Sequence, residues 1–200
     1  MELFIGNQNY SSWSLRAWLI FSQYNLDVKV TKLALFTQEF YKTLEGITPT
    51  AKVPALVHQD VTVWDSLAIL EFVNEQYLQG KAWPSAVVER AKARAIAAEM
   101  HSGFVDLRSE LPMNIRARRK VALSEGALQD IARIDAIWSE QAKQYPGAGC
   151  LVTGLLPMPC MRQSRCAFKR TALRCLRARG PINTRSWQAL HCNNGWKTQV

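Results

Sequence analysis

Cysteine is missing from the first 147 residues of this 200-residue chain, and acidic residues are missing from everything after them. The first absence removes disulfides, thiolate metal sites and a nucleophilic protein thiol from the longer part. The second leaves nine cations in the tail without a single counter-charge: Arg162, Arg165, Lys169, Arg170, Arg174, Arg177, Arg179, Arg185 and Lys197. Residues 1–147 hold sixteen basic and sixteen acidic side chains, so the net charge of +9 belongs to the tail alone. All five cysteines (Cys150, Cys160, Cys166, Cys175 and Cys192) lie there as well. Their gaps of 10, 6, 9 and 17 match no paired Cys-x-x-Cys zinc pattern, and no metal site is expected. Also missing is any apolar run long enough to span a bilayer. The opening MELFIGNQ has neither a basic n-region nor a long apolar core, so no secretory signal is expected and the cytoplasm is the expected location.

What is present in residues 1–80 is an alternation of strand and helix patterns. ELFIG (Glu2 to Gly6) has the composition of a short strand. A helical apolar stripe follows from about Ser14 to Tyr24, ended by Asn25, and LDVKVTKLAL then alternates as a strand. Thr37 to Gly46 forms a short helix pattern, with Thr37 at its cap position and glycine at its end. PALVH and VTVW are two short strands about a Gln59-Asp60 turn, a hairpin, and Asp65-Ser66 caps a last helix from Leu67 to Tyr77. The order β-α-β-α-β-β-α specifies an α/β layer fold. Pro54 stands at a strand entrance, where it removes a ladder donor; both a trans edge-strand proline and a cis bond are compatible with that position.

The run NYSSWSLRAWL places Ser11, Ser12 and Ser14 at the start of the first helix. Serine is a preferred helix cap, and Ser14 is the expected plain cap here. A hydroxyl cluster at a strand-to-helix turn also suits an anion or a thiolate. The local pattern leaves both open.

The order of elements, the KVPALV segment before the hairpin and WDSLAILEFV after it resemble the thioredoxin-like N-terminal domain of glutathione S-transferases. SSWSLRAW is similar to the SSxS-x-R signature of serine-type, zeta-like members, with Trp13 where those members carry Cys or a small residue. The resemblance covers residues 1 to about 147. It implies a cis Val53–Pro54 bond and a glutathione site made by Lys52, Val53, Pro54, Asp65 and Ser66. In it the Val53 backbone pairs with the peptide backbone of glutathione, and Asp65-Ser66 grips the γ-glutamyl end. Asp65 is shorter than the family's usual Glu or Gln. The resemblance further implies that Ser11, or Ser12 beside it, stabilises the glutathione thiolate. A free thiol has a pKa of about 8.5, and a hydroxyl donor at a helix N-terminus favours the ionised form. Since residues 1–147 carry no cysteine, disulfide exchange through a protein thiol is not expected.

Beyond WPS (Trp83 to Ser85), one long helix is expected from about Ala86 to Ser109, with Val88, Ala91, Ala95, Ala98 and Val105 on its buried stripe. LPMN (Leu111 to Asn114) breaks it. A second helix is expected from about Lys120 to Gln144, with Val121, Leu128, Ile131, Ile134 and Trp138 on one face. These resemble the first two helices of the family's all-α C-terminal domain. His101 falls mid-helix, either at the second-substrate site or as a partly buried helical histidine. The domains expected are thus 1–80, 86–147 and a tail, 148–200.

The tail has no sustained helical or strand period. It is expected to be the product of a frameshift with no native packing role. Taking the last base of each codon with the first two of the next, residues 148–169 and 186–199 can encode acid-containing, cysteine-free text. That text includes a Ser-x-x-Asp helix-start signature. Met158-Pro159 and Trp187-Gln188 must each give Ala, and Trp196-Lys197 must give Glu.

The expected function is activation of the glutathione thiol, as co-substrate, for conjugation or isomerisation of a small electrophile, in a cytoplasmic homodimer without membrane contact. Two alternatives are a glutathione-binding module without turnover and a nucleic-acid binder acting through the basic tail.

Overall fold

The computed structural model describes residues 1–114, 116 and 121–144, without the side chain of Ala142. The frameshift expected of the tail, and with it the tail's cysteines and cations, lies outside the described residues. The chain divides into two compact units, Met1–Arg90 and a second that begins at Ala91.

In the first unit the element order matches the sequence pattern: β1 (Glu2–Ile5), α1 (Ser12–Tyr24), β2 (Lys29–Lys32), α2 (Gln38–Glu45), β3 (Ala55–His58), β4 (Val61–Trp64) and α3 (Ser66–Leu78). The sheet order is β2-β1-β3-β4, with β1 and β2 parallel and the other pairs antiparallel. This is an α/β thioredoxin-like arrangement. Side chains alternate across it as strand geometry demands. Phe4 and its opposite number Ala55 point to one face, where Phe40 and Leu44 of α2 cover them. Leu3, Ile5 and Leu56 take the other face, which α1 and α3 cover, and none of the three is exposed to solvent. The C-terminal end of α3 is tied down by Asn74, whose Oδ1 accepts the Ala82 N–H at 2.8 Å, and by Trp83, whose Nε1 donates to Glu71 at 2.9 Å.

Two boundaries differ from the sequence pattern. The alternating run from Leu26 to Leu35 contributes only four residues of strand, because Asn25 turns left-handed and the Leu26 N–H is spent on the Phe21 carbonyl. Helix α1 starts two residues earlier than its apolar stripe, and its N-cap is Ser11 rather than Ser14. Ser14 is not available as a cap, since its hydroxyl is engaged by the main chain of Gly6.

Three described helices follow: α4 (Val87–Ser102), whose first turn closes the first unit and whose remainder opens the second, then α5 (Val105–Glu110) and α6 (Glu125–Gln144) in the second. The single long helix expected from Ala86 to Ser109 is broken at Gly103-Phe104. Phe104 is left-handed (φ 61°), and its ring turns into a core with Ile96 and Ile137. Arg108 reaches back to donate to the carbonyls of Met100 and His101, satisfying acceptors at the end of α4. The expected stripe on α4 is the wrong one. Ala93, Ile96 and Ala97 are buried, whereas Val88, Ala91, Ala95, Ala98 and Val105 are exposed. On α6, which starts at Glu125 and not near Lys120, Ala127 and Ile137 are buried with Gln141, and Leu128 is exposed. Small and apolar residues line more than one face of each helix, so periodicity alone did not choose between faces.

Arg133 of α6 grips Glu99 of α4 along one guanidinium edge, Nε donating to Oε1 at 2.6 Å and Nη2 to Oε2 at 2.8 Å. The hydrogen bonds from Arg133 hold the Glu99 carboxyl below its ordinary value of 4.5. A carboxyl depressed in the folded state contributes stability above its unfolded pKa and loses it as pH falls through the folded value. Arg133→Met is therefore expected to destabilise the second unit by no more than about 1 kcal/mol at neutral pH, as exposed pairs do. The deficit should close as denaturation is followed downward through the carboxylate range. A deficit independent of pH would count against the ion pair.

Candidate functional site

Strand register decides which loops meet. Ile5 lies opposite Lys32, Phe4 opposite Ala55, and Ala55 opposite Trp64. The C-terminal ends of β1, β2 and β4 and the start of β3 therefore share one end of the sheet. From that end emerge the Gly6–Ser11 loop leading into α1, the segment after β2, the Lys52-Val53-Pro54 run and the Asp65-Ser66 junction. Seven of the eight site residues expected from sequence gather there: Ser11, Ser12, Lys52, Val53, Pro54, Asp65 and Ser66. His101 belongs to the second unit, half-buried in the last turn of α4, with its carbonyl accepting Arg108 Nη1 at 3.2 Å.

Ser11 is buried at the N-cap of α1 and has a double engagement. Its Oγ accepts the Ser14 N–H at 3.3 Å and donates to Ser14 Oγ at 2.7 Å. Ser14 Oγ also accepts the Gly6 N–H at 3.0 Å. Ser12, the first residue of the helix, is half-buried, and its hydroxyl has no hydrogen-bond partner among the described residues. No acidic residue stands in the first turn of α1 to neutralise its positive end. One residue further on, Trp13 carries the guanidinium of Arg16 4.3 Å above its ring, a cation–π contact.

Gly6 packs closely enough that a Cβ there would lie 2.5 Å from Leu35 Cδ2 and 3.1 Å from Ser11 Cβ. The absence of a side chain lets the segment after β2 close over the loop that delivers the serines.

The Val53–Pro54 bond is cis, and Pro54 is buried. Val53 precedes the first ladder pair of β3, so its main-chain groups lie outside the β1–β3 ladder. Lys52 beside it is exposed. Asp65 takes a conformation rare for any residue but glycine, φ 75° and ψ 136°. Such a conformation costs on the order of 1–3 kcal/mol. Part of that is offset by the cap it makes, since Oδ1 accepts the N–H groups of Leu67 at 2.8 Å and Ala68 at 3.3 Å. The strained residue holds an exposed carboxylate at the start of α3 while Ser66 beside it is buried.

Sequence reasoning missed two participants. Ser14 is expected only as a plain cap, whereas its hydroxyl closes the loop onto the Gly6 main chain. Gly6 is expected only as a strand end. Among the described residues no group of three or more His, Cys, Asp or Glu is arranged to hold a metal, and no helix is long and apolar enough to cross a membrane.

Comparison with known proteins bears on the same region. Residues 10–76 match the family of the glutathione S-transferase N-terminal domain. The chain is similar to a probable maleylacetoacetate isomerase of Caenorhabditis elegans, 33% identical over 97 residues that cover 48% of this chain and 45% of that protein. It is also similar to probable maleylacetoacetate isomerase 1 of Drosophila melanogaster, 31% identical over 104 residues, 49% of this chain and 41% of that one. The chain thus spans less than half the length of these curated relatives. Among solved structures, a bacterial maleyl pyruvate isomerase of the zeta class of glutathione S-transferases aligns with TM-score 0.54 and 21% identity, covering 71% of this chain and 69% of that one. A Burkholderia glutathione transferase homologue with bound glutathione aligns with TM-score 0.53 and 22% identity, covering 70% and 65%. At these identities the structural likeness establishes the fold.

Proposed function

We propose, because residues 10–76 match the family of the glutathione S-transferase N-terminal domain, that this chain binds glutathione at the serine-bearing end of its sheet and activates the thiol toward a small electrophile, by conjugation or isomerisation. The observation that carries the proposal is the convergence there of three separate segments: Ser11-Ser12, Lys52-Val53-Pro54 and Asp65-Ser66. Their chemistry suits the ligand. Val53 offers main-chain groups outside a ladder to a peptide backbone. The Asp65 carboxylate suits an ammonium, and the Lys52 ammonium a carboxylate. Ser11 and Ser12 sit at the positive end of a helix, where a thiolate is favoured over a thiol. Bound glutathione supplies the nucleophilic sulfur; the chain's part is to hold the peptide, orient the sulfur and stabilise its negative charge. His101 is assigned to the second-substrate site, and the working form to a cytoplasmic homodimer. The domains serve as 1–80 for glutathione and 86–147 for the acceptor.

Calorimetric titration of the full chain with glutathione, paired with a conjugation assay, tests this directly. Asp65→Asn keeps an acceptor for the helix cap and removes the charge. It is expected to weaken glutathione about tenfold or more, the value of a hydrogen bond to a charged group, with little change in stability. Asp65→Ala should weaken binding similarly and also cost about 1 kcal/mol of stability through the lost cap. Wild-type affinity in Asp65→Asn would remove Asp65 from the site, and no glutathione binding by the parent chain would sink the proposal. A second reading, binding without turnover, draws on one observation: the Ser11 proton is committed to Ser14. Affinity for glutathione without conjugation would favour it.

A further inference from the structure

Ser14 is fully buried one helical step from the glutathione site, and its hydrogen bonds are asymmetric. Two donors converge on its Oγ, the Gly6 N–H at 3.0 Å and the Ser11 hydroxyl at 2.7 Å. Its own hydroxyl proton has no acceptor among the described residues. Ser11 presents the complementary difficulty. Its only proton is directed at Ser14, so it cannot donate to a sulfur until that proton swings away.

We infer that the Ser11–Ser14 pair is a reversible hydrogen bond, and that Ser14 is a positioning residue that frees the Ser11 proton for the bound thiolate. The inference rests on the reading that Ser11 serves the glutathione sulfur. When Ser11 turns its proton outward, Ser14 would turn its own toward Ser11 Oγ, 2.7 Å away, reversing the direction of the bond seen in the structure. Both events are hydroxyl rotations, and no covalent bond breaks. In the reversed state Ser11 Oγ accepts from the Ser14 N–H and the Ser14 hydroxyl together, so both of its lone pairs are satisfied. An oxygen that accepts two hydrogen bonds is polarised into a stronger donor. The Gly6 N–H, donating to Ser14 in both states, keeps the Ser14 oxygen in place. An alanine at 14 leaves a buried N–H and Ser11's second lone pair without partners in the donating state, which disfavours that state.

The test is the pH dependence of the ultraviolet thiolate absorbance of glutathione bound to the full chain, with glutathione affinity measured alongside. Ser14→Ala is expected to reduce the thiolate fraction at neutral pH about fivefold, the worth of one neutral hydrogen bond, while affinity changes less. In a Ser11→Ala background the same substitution should add nothing, because Ser14 acts only through Ser11. Ser14→Thr, which keeps the hydroxyl, should restore the ionisation. Should Ser14→Ala not fold, Ser14→Cys substitutes a weak donor of similar size and should show the same direction of shift. Wild-type ionisation in Ser14→Ala or Ser14→Cys would overturn the inference, as would a shift that persists without the Ser11 hydroxyl. If Ser11→Ala shifts ionisation and Ser14→Ala does not, only the inference fails. If Ser11→Ala leaves ionisation unchanged, or the parent chain does not bind glutathione, the functional reading fails with it.

Discussion

Ser11→Ala is expected to lower glutathione-dependent turnover by roughly tenfold to a hundredfold, the value of one hydrogen bond to a charged group at about 1.5–3 kcal/mol. Glutathione affinity should change far less, because the proposed site assigns the peptide to other residues. The loss should be greatest at pH values where the bound thiol is only partly ionised, and smaller where the solution already supplies thiolate. Ser11 is also the N-cap of α1. The substitution should therefore cost about 1 kcal/mol of stability as well, which Ser11→Thr should avoid while keeping the donor. Ser12→Ala is the internal control. Ser12 has an unengaged hydroxyl but no buried partner to hold it, so its loss should be the smaller one. Turnover that survives Ser11→Ala and disappears in Ser12→Ala would move the role by one residue.

Leu56→Ala is expected to destabilise the first unit by about 2–5 kcal/mol, the usual penalty for emptying a buried leucine site. Leu56 is wholly buried on an interior strand, opposite Leu3, beneath the face that α1 and α3 cover. The loss is a large share of the ~5–15 kcal/mol that holds a typical domain together. Glutathione affinity should fall only in proportion to the unfolded fraction, since Leu56 faces the core. The check is the denaturant midpoint at unchanged slope. A shift equivalent to less than 1 kcal/mol would show that the Leu3–Leu56 contact is not the centre of the core.

The N-terminal half was legible because each of its elements carries a local physical signature. Thr37 and Gly46 bracket α2 as cap and terminator, and the structure uses both in those places. Gln59-Asp60 closes the hairpin, with Gln59 left-handed at the turn. The second unit was less legible. α4 is rich in alanine, so several of its faces are about equally apolar, and the choice of Ala93, Ile96 and Ala97 depends on what packs against it. The break at Gly103-Phe104 was missed for a related reason. A bulky left-handed residue is unfavourable locally, and the apolar neighbours that receive the ring outweigh that cost.

The sequence by itself determined the order of the elements, the serines at the head of α1, the Val53-Pro54 and Asp65-Ser66 junctions and the neutral charge of the first 147 residues, because caps, turns and alternation act over a few residues. Only the tertiary structure decided that those junctions share one end of the sheet, which follows from strand register between segments about fifty residues apart. It alone decided that Ser11 and not Ser14 caps the helix. Gly6 and Ser14 meet across a loop, and a buried N–H there must find an acceptor, so Ser14 closes the loop and the cap falls to Ser11.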